Sequence, residues 1–223
     1  MADHIQDEED FEALRRWWEE NGKSIVATIL IAVLGTVGWQ QYENYSSTRG
    51  EAASDLFAQM LVIREEGADA ELLTGLAEEL KSDYSGSTYA QFGALLEASM
   101  AVERGLLDEA EATLRWALQA ADSQSDIGQL VQLRLARVLA AQGKEPAALE
   151  ILTRGSEVYP VAYAQAAGDI HLAAGRESEA LDAYRTGFLA ARELGELSAG
   201  LDGKIRALET RQGVRKDDST SEE

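Results

Sequence analysis

A chain of 223 residues, 45% of them apolar and only two of them proline, has material for one domain of ordinary size with an anchor and tails. Its 20 Lys and Arg face 40 Asp and Glu, and a net charge of −20 argues against a nucleic-acid backbone as partner, since phosphate binding needs clustered cations. The absence of cysteine excludes disulfides, a thiolate nucleophile and Cys-ligated metals, while the abundance of Ala, Leu, Glu and Arg favours helix.

Residues 1–12 are polar and acidic. Phe11, Leu14, Trp17 and Trp18 then fall at helical spacing and predict a short amphipathic helix, which Asn21-Gly22 is expected to break or bend. Residues 1–23 together read as an acidic cytoplasmic segment. Residues 24–42, SIVATILIAVLGTVGWQQY, carry no charge. Nineteen residues make roughly 29 Å of helix, close to the hydrocarbon thickness of about 30 Å. Trp17 and Trp18 precede the run and Trp39, Tyr42 and Tyr45 close it, as rings do at the two membrane–water interfaces. A helix buried in a soluble core needs neither this length without charge nor aromatics at each end.

Arg15, Arg16 and Lys23 lie before the span and only Arg49 lies close after it, which places the N-terminus in the cytoplasm. No small-x-small site follows the apolar run before Tyr45, so the segment reads as a retained anchor rather than a cleaved signal. Ser24, Thr28, Ala32 and Thr36 recur every four residues and form a candidate membrane helix packing face. Small residues are also common in membrane helices generally, and both readings stand.

Beyond the span, Ala53, Leu56, Phe57, Met60 and Leu61 predict a helix ending near Gly67, and Leu72, Leu73, Leu76 and Leu80 predict a second. Three triplets follow: Gly105, Ala110 and Leu114; Gly143, Ala148 and Leu152; Gly175, Ala180 and Tyr184. A further small residue stands three positions on in each, at Ala117, Gly155 and Gly187. Each triplet describes a helical hairpin: Gly in the turn, Ala where the second helix crosses the first, a large residue between hairpins. Pro146 suits the first turn of a second helix. The glycines stand 38 and 32 residues apart, and the spacing resembles tetratricopeptide repeats, whose period is about 34. Residues 49–83 read as a degenerate first repeat. Leu201, Ile205 and Leu208 mark a terminal capping helix, and residues 212–223 read as a disordered acidic tail. The expected fold is all-α: one N-terminal transmembrane helix followed by a tetratricopeptide-repeat-like, right-handed superhelix over residues 43–211.

The catalytic inventory is thin. His4 lies in the acidic tail, and His171 stands two residues from Asp169, on a different helix face. No Ser-His-Asp set, HExxH, P-loop or GxGxxG is present. His171 therefore reads as a packed or surface histidine, and no enzyme, cofactor or metal site is expected. What remains is binding on the concave surface that stacked hairpins form, lined mainly by the first helix of each pair. By register the candidate partner-binding groove takes Phe92, Leu95, Ser99 and Val102 from one hairpin. Leu133, Arg137 and Ala140 follow from the next, and Gln165, Asp169 and Leu172 from the last. A register shift of one residue exchanges groove for core at these positions. No basic clamp for a terminal carboxylate is expected among them. From Glu43 onward, 17 basic and 32 acidic residues leave a charge of −15, which suits a protein-docking module better than a lipid-surface binder.

The stretch FEALRRWWEENGK at residues 11–23, the apolar run, and Gly38-Trp39 with Tyr42 resemble the ancillary SecYEG translocon subunit family of YfgM-type bacterial proteins. Leu133-Arg134-Leu135-Ala136-Arg137 and Lys204-Ile205 in the closing helix are similar too, so the resemblance covers nearly the whole chain. It implies a single-pass bacterial inner-membrane protein with a periplasmic repeat domain. Implied partners are the SecYEG translocon, a PpiD-type periplasmic chaperone and unfolded segments of exported proteins. As an alternative it implies a role as negative regulator of the Rcs envelope-stress response, and a cell-envelope assembly scaffold would share the fold. The acidic tail after Arg211 departs from the family pattern.

Overall fold

The computed structural model describes residues 3–67 and 70–220, and its described residues divide into two units, Met1–Ala52 and Ala53–Glu223. The helices are α1 (Asp3–Glu65), α2 (Ala70–Asp83), α3 (Thr88–Glu103), α4 (Leu107–Ala120), α5 (Asp126–Ala141), α6 (Glu145–Thr153), α7 (Pro160–Ala173), α8 (Glu177–Leu194) and α9 (Ala199–Thr220). No strand is present among the described residues.

The expected break at Asn21-Gly22 does not occur, since α1 is unbroken there. The Asn21 side-chain amide donates to the Trp17 carbonyl at 3.0 Å, one turn back, which ties it into the helix. The Trp18 ring lies over Gly22, close enough that an added Cβ would come within 3.1 Å of it. A single glycine costs a helix only about 1 kcal/mol, and the long apolar run on its C-terminal side outweighs that. This is the one helix among the described residues long and apolar enough to cross a membrane. Within the apolar run the described side chains stand clear of the rest of the protein: Ile31 is 71% and Leu34 70% exposed, unlike those of a helix buried in a soluble core. Residues 4 to 14 lie in α1, but their side chains, His4 included, fall outside the described set.

In the second unit the hairpins form as the glycine spacing predicts. Gly105, Gly143 and Gly175 each hold φ of +76°. The three turns share one hydrogen-bond pattern: Gly105 N–H to Val102 O with Leu106 N–H to Ala101 O, Gly143 to Ala140 with Lys144 to Leu139, and Gly175 to Leu172 with Arg176 to His171. These are Schellman closures, which need a left-handed residue at that position. The alanines five residues on, Ala110, Ala148 and Ala180, are fully buried where the paired helices cross. Leu114, Leu152 and Tyr184 are buried between successive pairs. Ser87 and Ser125 cap α3 and α5, accepting from the amides of Tyr89 and Gly128. Pro146 and Pro160 occupy the first turns of α6 and α7, where a missing N–H is harmless.

The unequal glycine spacing has a local cause. The longer interval contains α4 and a connection through Ala121 to Ser125, whereas the shorter one contains α6, only nine residues long. Gly155 is consequently not a helix-crossing residue but a second turn glycine, at φ +74° just past α6.

Three core clusters follow along the stack. Ala53 and Met60 from the end of α1 join Leu73, Ala77 and Leu80 of α2 and Ala90 of α3, so residues 53–83 supply a genuine first hairpin. A central cluster runs from Ala94 to Ile170 through α3, α4, α5, α6 and α7. Ala180, Leu181 and Tyr184 of α8 join Leu201 and Leu208 of α9, with Ile205 against them, as expected of a cap. Trp116 of α4 packs against both the first and the central cluster. Helix α9 continues past Gln212 to Thr220, through residues read from sequence as tail; residues 221–223 lie outside the described set.

Candidate partner-binding groove

The helices that open each hairpin, α3 and α5, face each other across a cavity of about 170 Å³, with α4 behind it. Leu95, Ala98, Ser99 and Val102 form the α3 wall, and Arg134, Arg137, Val138 and Ala141 form the α5 wall. Leu107 and Leu114 of α4 floor it. Four expected groove residues thus meet in one cavity: Leu95, Ser99, Val102 and Arg137. Val102 is 43% exposed, an aliphatic side chain held at the mouth rather than in the core.

The other expected positions have different surroundings. Leu133 is 3% exposed and belongs to the central core, so it is not a groove residue. A helix advances 100° per residue, and the sequence register was out by one here; Arg134, beside it, is the side chain that reaches the cavity. Ala140 packs against the same core. Phe92 is half-buried, its ring 5.8 Å from that of Phe57. Leu172 packs against the C-terminal cluster, and Gln165 is half-buried on α7. Asp169 is engaged internally: it accepts from the Tyr184 hydroxyl at 2.7 Å and pairs with Lys204 of α9, whose ammonium lies 5.1 Å from the Tyr184 ring centre. Burial and this carboxylate both push the Tyr184 phenol well above its ordinary range. Asp169 therefore fastens the cap to α7 and α8 rather than addressing a partner.

Several polar groups elsewhere are engaged within the fold. His171 accepts at Nδ1 from Arg176 at 3.0 Å, and Arg176 pairs with Glu145 across the α5–α6 and α7–α8 turns. Glu111 receives Lys144 at 2.6 Å and Arg115 at 2.8 Å, which hold its carboxyl down at about 2. Tyr163 donates to the Gln129 carbonyl at 2.7 Å, and burial pushes its phenol up to about 12. Burial pulls Lys81 downward, but hydrogen bonds to Glu78 and Glu97 outweigh it and raise the amine overall. Among the described residues no cluster of His, Cys, Asp and Glu is arranged to hold a metal ion.

Arg134 and Arg137 break this pattern. Between residues 53 and 210, every other Lys and Arg except Arg192 forms an ion pair with a described carboxylate. Desolvation against the cavity wall lowers the Arg137 guanidinium, the Arg134 charge lowers it further, and Asp169 offsets part of this without pairing with it. The sequence reading counted one of these arginines and missed its neighbour; their i, i+3 spacing on one helix face was the available signal.

On the expected packing face of α1, Thr28 donates to the Ser24 carbonyl and Thr36 to the Val33 carbonyl, both at 2.9 Å. These hydroxyls are satisfied within their own helix.

The family described as Tetratricopeptide repeat-like domain matches residues 15–210. The ancillary SecYEG translocon subunit of Haemophilus influenzae is 30% identical over 186 residues, 82% of this chain and 89% of the relative. The chain belongs to the ancillary SecYEG translocon subunit family. Members from Aggregatibacter actinomycetemcomitans and Escherichia coli K12 are 32% and 26% identical, covering 83% and 84% of this chain and 90% and 89% of their own lengths. The family match begins at Arg15, before the apolar run, so the anchor and the repeats belong to one family unit.

Proposed function

We propose that the protein is a non-catalytic adaptor, held by one span in the bacterial inner membrane and associated with the SecYEG translocon. Residues 24–42 cross the bilayer with the N-terminus in the cytoplasm, and the repeat domain lies in the periplasm. There the α3–α5 groove holds a segment of a PpiD-type chaperone or of an exported chain and helps pass the latter on. The observation that carries this reading is the cavity where Leu95, Ser99, Val102 and Arg137 converge, an open apolar site without catalytic groups. Supporting it are the relatives' name and a helix suited by length and composition to one span. The packing face of Ser24, Thr28, Ala32 and Thr36 is the proposed contact with translocon helices.

The test is site-specific photo-crosslinking in living cells from Leu95 and Gln165, with Arg185, paired with Glu209 on the outer helices, as the control position. Translocon-associated proteins captured from Leu95 and not from Arg185 support the reading. Equal capture from both positions, or none from Leu95, refutes it. Orientation is checked by labelling cysteines placed at Ser46 and at Asp10 with a membrane-impermeant thiol reagent on whole spheroplasts. Only the former should react.

A further inference from the structure

The groove joins an apolar cavity to two exposed cations that have no carboxylate partner among the described residues. We propose that it recognises a partner segment in which an apolar side chain stands next to a carboxylate, the first filling the cavity and the second meeting Arg134 and Arg137. This rests on the groove being the partner site proposed above, and names the chemistry of its occupant.

The volume fits one side chain. Cavities of roughly 150 Å³ lined by aliphatic residues accept a benzene ring, so about 170 Å³ admits a leucine or phenylalanine side chain. The charge is the sharper observation. In a chain of net charge −20, all but three of the Lys and Arg between residues 53 and 210 pair with a carboxylate, yet two of those three, the exposed Arg134 and Arg137 on adjacent turns of α5, share a cavity wall with no ion-pair partner among the described residues. Like charges three residues apart on a helix repel, and desolvation of Arg137 adds to the cost of holding them there, which the more distant Asp169 offsets only in part. An anion at the mouth relieves both. Guanidinium is suited to this role because it meets a carboxylate with two parallel N–H donors. The surrounding negative charge also disfavours any segment whose carboxylates are not placed at this one spot.

The test uses the full chain in lipid nanodiscs and three fluorescein-labelled, C-terminally amidated nonapeptides built on Gly-Ser-Leu-X-Leu-X-Leu-Ser-Gly, with X as Asp, Asn or Lys. Fluorescence anisotropy should show the Asp peptide binding about fivefold more tightly than the Asn peptide and more tightly still than the Lys peptide, the discrimination expected of one well-formed charge-assisted pair at an exposed site. Arg134→Gln with Arg137→Gln should abolish that preference at unchanged melting temperature, and Arg134→Glu with Arg137→Glu should transfer it to the Lys peptide. Equal binding of the Asp and Asn peptides, binding of none, or a preference that survives the double Gln variant overturns the proposal. So does a tenfold gain in Asp-peptide affinity on removing residues 212–223, which would make the chain's own acidic tail the occupant. Leu95 crosslinks that persist while peptide discrimination fails would sink this inference and leave the adaptor reading standing.

Discussion

Gly168 in α7 tests the packing at the C-terminal end of the stack. An added Cβ would lie 2.4 Å from Cε1 and 2.5 Å from Cδ1 of Tyr184, distances that real Cβ atoms do not adopt. The ring cannot swing aside freely, because Tyr184 is fully buried, its hydroxyl is bonded to Asp169 and Lys204 covers one face. Overpacking of this kind costs about 1–3 kcal/mol, and displacing the phenol from Asp169 costs about 1 more. Alanine returns about 1 kcal/mol through helix propensity, so Gly168→Ala should lose roughly 2 kcal/mol net. For a domain of this size that lowers the melting temperature by about 4–8 °C. Gly203→Ala in α9, where nothing lies within 4 Å of the new methyl, is the control and should raise it by about 2–4 °C. Melting followed by circular dichroism decides. A Gly168→Ala protein as stable as wild type would show that α7 and α8 are not held together at this point.

Three further outcomes are expected. Glu111→Gln should lower stability at pH 7; the native carboxyl is depressed to about 2, so its contribution is present above the ordinary carboxylate range and vanishes as pH falls from about 4.5 through 2, a convergence that melting curves across that window would show. Gly143→Ala forces a methyl into φ +76° and should cost about 1–2 kcal/mol in urea unfolding, with the slope unchanged. Ala148→Leu should destabilise by about 1–3 kcal/mol, because the fully buried methyl marks where α6 crosses α5; a neutral result would mean that the crossing can open.

What sequence made legible was backbone chemistry. A turn that needs a left-handed residue selects glycine, and a close crossing selects alanine, so the positions of Gly105, Gly143 and Gly175 and of their partner alanines located the hairpins before any packing was known. Groove membership was harder, because groove and core sit on neighbouring faces of the same helix. Leu133 and Arg134 are adjacent in sequence and opposite in role, and only the placement of α5 against α3 and α4 separates them. The expected break at Gly22 failed for a related reason: local propensity, worth about 1 kcal/mol, was weighed without the Trp18 ring that covers the glycine. Asp169 could not be assigned from sequence either, since its partner Lys204 comes from the cap, 35 residues on.

Trp116 carries a consequence for optical work on this protein. Three of the four indoles, Trp17, Trp18 and Trp39, are more than half exposed on the anchor helix, where detergent or lipid sets their emission. The fourth is wedged between two hydrophobic clusters. With Phe substituted at positions 17, 18 and 39, the remaining fluorescence becomes a single-site gauge of the joint between the first hairpin and the next. Its red shift dates the separation of those two hairpins, and its constancy during melting elsewhere would mark them as the last part of the stack to come apart.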